Sequence, residues 1–472
     1  MTRTGNHPRA KLTLILALLL FSGSALQAVS KLDVGAEYRL RGIQLTNPTY
    51  GSEPPAGSGA TIDQKYYSQR ARVYIKGKLD PGIEIGSVIQ AIGVSGSSVP
   101  VIGRYPKEDF TPFIENIYIQ ANELFSWPVN LTLGRQPYVW GSGLLISDDG
   151  MGFDGIRLDA GPFWGIRGHV FTAKAREKFA GENDNDLYLL GLSYAWGIHN
   201  IKLGWIMESD KSGSTYQSLT ATNSVTVDQI NRQFINLQVD GRLEQGAFYK
   251  AEYAMQRGKA KGVTYFDRAS KSLVTQDVTL SGSALTFEGG FDFVHPKYKR
   301  MILAFVFMQG SGDDVNTAGE DEKFNPSFGH KFDGLERDGY GEFFAATPYS
   351  FFNEDRVLVS NQVAGGTVQT FPYTSLFSGL RMYGFRGSIN PWEPFIAGLE
   401  FYLYSARETP DIRSGGLTTI PESALGRELV ISAAYKYANR VNFTVRWGKF
   451  FPNATLNNVG ASRLILEASA RF

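Results

Sequence analysis

Lys31-Leu32-Asp33-Val34-Gly35-Ala36-Glu37-Tyr38-Arg39-Leu40-Arg41 is the stretch that decides how this chain folds. Leu32, Val34, Ala36, Tyr38 and Leu40 share one parity, and Asp33, Gly35, Glu37, Arg39 and Arg41 share the other. A period of two places successive side chains on opposite faces of a strand, here one oily and one wet. The last residues repeat the pattern: Leu464, Leu466, Ala468, Ala470 and Phe472 alternate with Glu467, Ser469 and Arg471. Between them it returns at Ala71-Val73-Ile75 and at Ile201-Leu203-Trp205-Met207. Ile235-Leu237-Val239 and Tyr249-Ala251-Tyr253-Met255 carry it as well.

Alternation alone also fits a soluble antiparallel sandwich, so strand length and the order of the connections must decide. The alternating runs span about ten residues, the length of a tilted membrane-crossing strand, whereas soluble strands average about five or six. The sequence divides into eighteen such strands, beginning near Lys31, Tyr66, Ile83, Phe113, Val129, Phe153, Phe163, Leu187, His199, Arg232, Gly246, Thr279, Lys299, Phe377, Pro394, Arg427, Val441 and Arg463. After each even-numbered strand the link is short, as at Asp80-Pro81-Gly82, Gly161-Pro162, Trp196-Gly197-Ile198 and Asn439-Arg440. After each odd-numbered strand it is long and polar, the extreme running from Gly312 to Leu376. Short periplasmic turns alternating with long outer loops on an even number of strands are the pattern of an outer-membrane β-barrel. A sandwich has no reason to sort its loops in this way.

The two ends agree with this reading. Arg3, Arg9 and Lys11 precede the apolar run Leu12 to Phe21 and a small-residue segment, which is a secretory signal peptide. Residues 1–28 are expected to be removed, with Ala28 or Ser30 the last residue cut away, leaving 29–472 as the barrel. Ten apolar residues are too few for a helical anchor, which needs roughly 20. Beyond it the longest apolar run is Met301 to Met308, so a mature membrane protein has to be a barrel. At the other end, the terminal Phe472 is the kind of signal that barrel-insertion machinery reads. Trp127, Trp164, Trp196 and Trp392 lie at expected periplasmic turns, where amphipathic rings settle at headgroup level.

Composition removes several function classes. The 472 residues hold 47 Lys and Arg against 46 Asp and Glu, so there is no basic excess of the kind that collects nucleic acid. No Cys is present, which excludes thiol catalysis and disulfide staples. Mean hydropathy is −0.18, far too polar for a helical membrane protein. No cofactor is expected.

Leu131-Thr132-Leu133-Gly134-Arg135-Gln136 followed by Gly152-Phe153-Asp154-Gly155-Ile156-Arg157-Leu158-Asp159 resembles the alginate-export outer-membrane family. Gly310-Ser311-Gly312-Asp313-Asp314 with Phe324-Asn325-Pro326 is similar to the same family's pattern after a late strand. The resemblance implies an 18-stranded porin.

If the wet parity lines the pore, its basic members include Arg39, Arg41, Arg70, Arg72, Arg157, Arg167, Arg381, Arg446 and Arg471. Acidic residues interleave with them and can pair across neighbouring strands. Arg39 and Arg41 fall on strand one, Arg70 and Arg72 on strand two, and Arg471 on strand eighteen, which must close against strand one. Guanidinium forks bind carboxylates bidentately and stay charged, so this ladder is expected to draw in an anionic, uronate-like solute. The expected function is an outer-membrane channel for a polar, anionic small solute or polysaccharide, with lipid as its other partner.

Two other classes compete. An outer-membrane hydrolase needs a histidine beside a nucleophile, and only His169 of five histidines lies within a strand, with no nucleophile motif beside it. A calcium-binding adhesin would rest on Asp313, Asp314, Glu320, Asp321 and Glu322, whose spacing fits no defined calcium loop. One oddity remains. Ile302, Ala304, Val306 and Met308 should point into a polar lumen. They make sense if the following connection, with Phe343, Phe344, Tyr349, Phe351 and Phe352, folds inward and packs on them.

Overall fold

The computed structural model describes residues 31–46, 64–80, 82–95, 110–176, 184–212, 227–267, 272–296, 299–314, 317, 319–330, 339–353, 361–364, 367–370, 377–408, 423–438, 440–453 and 460–472. The expected signal segment 1–28 lies outside them, as does most of 354–376.

Eighteen antiparallel strands form the wall. They are β1 (Lys31–Thr46), β2 (Gln64–Asp80), β3 (Ile83–Ser95), β4 (Phe113–Ala121), β5 (Val129–Gln136) and β6 (Phe153–Phe163). Next come β7 (Ile166–Arg176), β8 (Asn185–Trp196), β9 (His199–Asp210), β10 (Gln229–Arg242), β11 (Ala247–Asp267) and β12 (Ser272–His295). The last six are β13 (Lys299–Gly310), β14 (Ser378–Trp392), β15 (Phe395–Glu408), β16 (Ala424–Tyr437), β17 (Val441–Pro452) and β18 (Ala461–Arg471). Each strand pairs with the next, and β1 pairs with β2 on one side and β18 on the other. The sheet is therefore a closed barrel, which leaves no unpaired edge to face hydrocarbon. Backbone hydrogen bonds between Ala36 and Phe472, 2.9 and 3.2 Å long, complete the seam at the chain terminus.

Strand boundaries follow the period-two pattern with few departures. The turn expected at Gly161-Pro162 lies at Trp164-Gly165 instead, because β6 continues through Pro162 and absorbs it in a register shift between Ala160 and Phe163. Strand β12 starts at Ser272, seven positions before Thr279, since its hairpin with β11 continues beyond the oily segment.

The oily parity faces outward. Leu32, Val34, Leu190, Leu192, Leu203 and Trp205 stand exposed on the barrel surface, while Glu37, Arg39, Arg41, Arg70 and Arg72 are buried inside. Trp127, Trp164, Trp196 and Trp392 are all exposed beside the short connections, Trp164 at 96%. That is the girdle such rings form at a membrane interface.

The lumen is not an open tube. The largest apolar cluster sits inside it and joins Phe171, Phe234, Val306, Met308, Met382, Tyr402, Tyr404 and Phe450 of the wall to two inward connections. The first, between β5 and β6, brings in Tyr138, Trp140, Leu144, Leu145 and Ile146; the second, after β13, brings in Phe324, Phe343, Phe344, Phe351 and Phe352. The two connections also pair with each other. Ser147 N–H donates to the Phe328 carbonyl at 2.7 Å, Phe328 N–H to Leu145 at 2.8 Å, and His330 N–H to Gly143 at 2.9 Å. A short helix α1 (Pro348–Asn353) holds Phe351 and Phe352 in the cluster. Inward-facing Val306 and Met308 thus meet apolar side chains rather than water, which removes the cost of leaving them wetted.

Candidate functional site: the lumen wall

The arginine ladder assembles as its strand positions require. Arg39 stands directly across from Arg70, and Arg39 is flanked on its other side by Ser469. The ladder is also neutralised in large part. Glu37 takes ion pairs from Arg70 and, at 3.1 Å, from Arg471. Glu467 pairs with Arg41 at 2.7 Å, and Glu115 with Arg72 at 2.8 Å. Four guanidinium groups thus share three carboxylates. Taking a charge out of water costs several kcal/mol unless a partner is supplied, so a buried ladder recruits acids from its own wall.

The first inward connection covers this ladder. Gln90, which accepts from Arg72 Nε at 2.9 Å, donates to the Gly150 carbonyl at 2.9 Å. Gly150 has φ +70°, and a Cβ there would lie 2.5 Å from an Arg72 nitrogen, so glycine is needed for both the conformation and the close approach. Two residues earlier, burial pushes the Asp148 carboxyl up to about 6, with the neighbouring Asp149 charge adding to the rise and Arg72 opposing it.

A second cluster receives the second inward connection. Glu342 pairs with Arg446 on β17, and with Arg463 on β18 at 3.4 Å. Arg446 also reaches Glu400 on β15 at 2.9 Å. Tyr340 O–H donates to Glu288 at 2.8 Å, and Glu288 pairs in turn with Arg386.

A third cluster, on β6 to β9, is less covered. Arg157 pairs with Asp159 at 2.6 Å, and Asp159 lies 2.7 Å from His169 Nδ1. Arg157, Asp159, Arg167, His169, Ser193 and Lys202 line a cavity of about 380 Å³, roofed by Tyr138, Trp140 and Gly141 of the first inward connection. Among the described residues, Arg167 and Lys202 have no ion-pair partner.

One expected pore residue is misplaced. Arg381 alternates with buried Leu380 and Met382, so it points outward with Tyr383 and Phe385, and it donates to Gln309 at 2.8 Å. The inward basic residue of β14 is Arg386, which the sequence reading passed over. Leu380 and Met382 look like a lipid-facing pair, yet they face the apolar cluster inside the lumen. Arg463 was also missed, although it shares the wet parity of Glu467 and Arg471 and is buried. Of the acidic residues of the calcium alternative, Asp321 accepts from Lys323 N–H at 2.9 Å, and Glu322 from the Thr317 hydroxyl at 3.0 Å. Among the described residues no group of three or more His, Asp or Glu is placed to hold a metal ion.

The family profile described as alginate export matches residues 95–343, more than half of the 472 residues. Solved structures with a similar fold include Acinetobacter baumannii OccAB1, at TM-score 0.53 and 11% identity over 94% of this chain and 98% of that one. Pseudomonas aeruginosa OccK9 (OpdG) gives 0.52 at 13% identity over 94% and 100%. A BenF-like porin from Pseudomonas fluorescens Pf-5 gives 0.50 at 12% identity, also over 94% and 100%. At such identities the likeness is one of fold. No curated protein sequence matches the chain.

Proposed function

Because this chain belongs to the alginate export family and forms an outer-membrane channel, we propose that its lumen passes a polar, anionic solute of the uronate type, as a small sugar acid or a polysaccharide. The observation that carries this reading is the cavity on β6 to β9, where Arg167 and Lys202 point into the lumen without carboxylate partners among the described residues. Cations facing a wet, narrow passage attract anions and coordinate their carboxylates as rings of Arg or Lys do in anion pores. The ladder of Arg39, Arg41, Arg70 and Arg72 plays a different part from the one its spacing suggests. Its charges are largely spent on Glu37, Glu115 and Glu467, so it contributes background potential and anchors the first inward connection.

Residues 1–28 are removed on export, and Phe472, directly after β18, presents the signal for barrel insertion. Reversal potentials in planar bilayers under a salt gradient test the solute class. The purified channel should prefer anions, and a uronate oligomer added to one side should block chloride current. Arg167→Gln with Lys202→Gln should lower the anion preference, more so at low salt because charges are screened over roughly 10 Å at 0.1 M. A cation-selective wild-type channel that ignores uronates would overturn the assignment.

A further inference from the structure

Ser193, His169 and Asp159 stand in line across three adjacent strands. Asp159 on β6 accepts at 2.7 Å from His169 Nδ1 on β7, and His169 Nε2 lies 3.1 Å from the Ser193 hydroxyl on β8. The strands dictate this arrangement. Asp159 is the direct cross-strand partner of His169, and His169 is the partner of Gly191, two positions before Ser193. No motif in the sequence joins these residues, because each comes from a different strand.

We propose that this lumen site is catalytic, with Ser193 as the nucleophile of an esterase activity acting on short-chain esters of the acidic solute that enters the channel. A carboxylate on Nδ1 fixes the tautomer in which Nε2 is free to accept the serine proton. Ser193 is reachable: it lines both the 380 Å³ cavity and a second one of about 500 Å³ beside it. Its direct cross-strand neighbours are Arg167 on one side and Lys202 on the other, and both line the same cavity. Two cations beside the hydroxyl are suited to stabilise the oxyanion that forms on an attacked carbonyl. Arg157, tied to Asp159 at 2.6 Å, borders the same cavity from β6. Trp140 packs edge-on to His169 with ring centroids 5.5 Å apart, closing one side of the site.

In the first step the Ser193 oxygen bonds to the ester carbonyl carbon and its proton passes to His169 Nε2. The carbon–oxygen bond to the alcohol then breaks, and the alcohol leaves with that proton. In the second step a water molecule gives a proton to His169 as its oxygen attacks the acyl-serine, and that proton passes to the Ser193 oxygen as the acyl–oxygen bond breaks, releasing the carboxylic acid and free Ser193. Both steps balance with water as the only co-reactant.

The choice of an acidic substrate rests on the proposed anion passage, whereas the nucleophile itself does not. The test therefore begins with a neutral probe. Full-length protein in detergent, shown to be folded by its heat-dependent gel mobility, is treated with a fluorophosphonate and with p-nitrophenyl acetate, and the modified residue is located by mass spectrometry. Labelling at Ser193 that disappears in Ser193→Ala and falls sharply in His169→Gln is the expected result. Ester cleavage should drop by roughly three orders of magnitude in Ser193→Ala. No label on the folded wild type, or label on another residue with cleavage intact in Ser193→Ala, overturns the site. Labelling of Ser193 in a channel without anion preference would overturn the solute assignment and leave the nucleophile standing.

Discussion

Glu342 and Arg446 form an ion pair inside the barrel although 104 positions separate them. Arg446 belongs to the wall, on β17, and Glu342 to the connection that follows β13. Glu428 on β16 accepts from the Glu342 backbone N–H, and Tyr404 O–H holds that same carboxylate at 2.8 Å. The connection is thus fastened by charge as well as by its rings.

Arg446→Gln should release this fastening. It leaves Glu342 with Arg463 and deprives Glu400 of its guanidinium partner. Removing one member of a buried pair costs about 3–5 kcal/mol. That penalty falls on the docking of the connection, since the strands hold one another through backbone bonds. Single-channel conductance should rise and fluctuate, while heat-modifiable mobility on gels stays that of the folded barrel.

Phe344→Ala should act on the same segment through packing. Phe344 is fully buried against Tyr404 and Phe450, with ring centroids 5.4 and 5.3 Å away. Truncating such a side chain costs about 3–5 kcal/mol. Limited proteolysis should then cut within 339–353 in the variant and spare the wild type.

Acidity should tighten the first inward connection. Asp148 is raised from 3.8 to about 6 mainly by burial, so the docked form holds its proton more firmly than the undocked form does. The resulting stabilisation is fully present below about pH 4, declines as pH rises through 6, and is gone above it. Conductance recorded from pH 4 to pH 8 should increase across that window. Asp148→Asn should flatten the profile, and an unchanged profile in that variant would assign the step to another group.

Gly150→Val should undock the same connection at every pH. A Cβ at φ +70° would press on the Arg72 side chain at 2.5 Å, and β-branched residues resist positive φ. The expected readout is higher conductance together with weaker heat resistance of the Arg72–Glu115 region, measured by hydrogen exchange at β2 and β4.

The wall was legible because its two solvents sort side chains with a period of two. From Leu32, Val34 and Leu40 against Glu37, Arg39 and Arg41, the face of every residue on β1 follows, and the same holds at β9 and β18. Strand count and the closure of β18 on β1 come from that one rule and the alternation of short and long connections. The rule gave way where apolar residues lie on the inner face. At Val306 and Met308 an all-apolar strand announced that something packs within. At Leu380 and Met382 the same feature misled, and Arg381 was placed inside where Arg386 belongs. What covers those residues is set by connections whose own sequences carry no period, so the inward course of Tyr138 to Gly150 left no local signal. Nor do Asp159, His169 and Ser193 announce one another. Their meeting depends on the registers of three strands, and a register is decided only when whole strands pair and bring residues 24 positions apart to 3.1 Å.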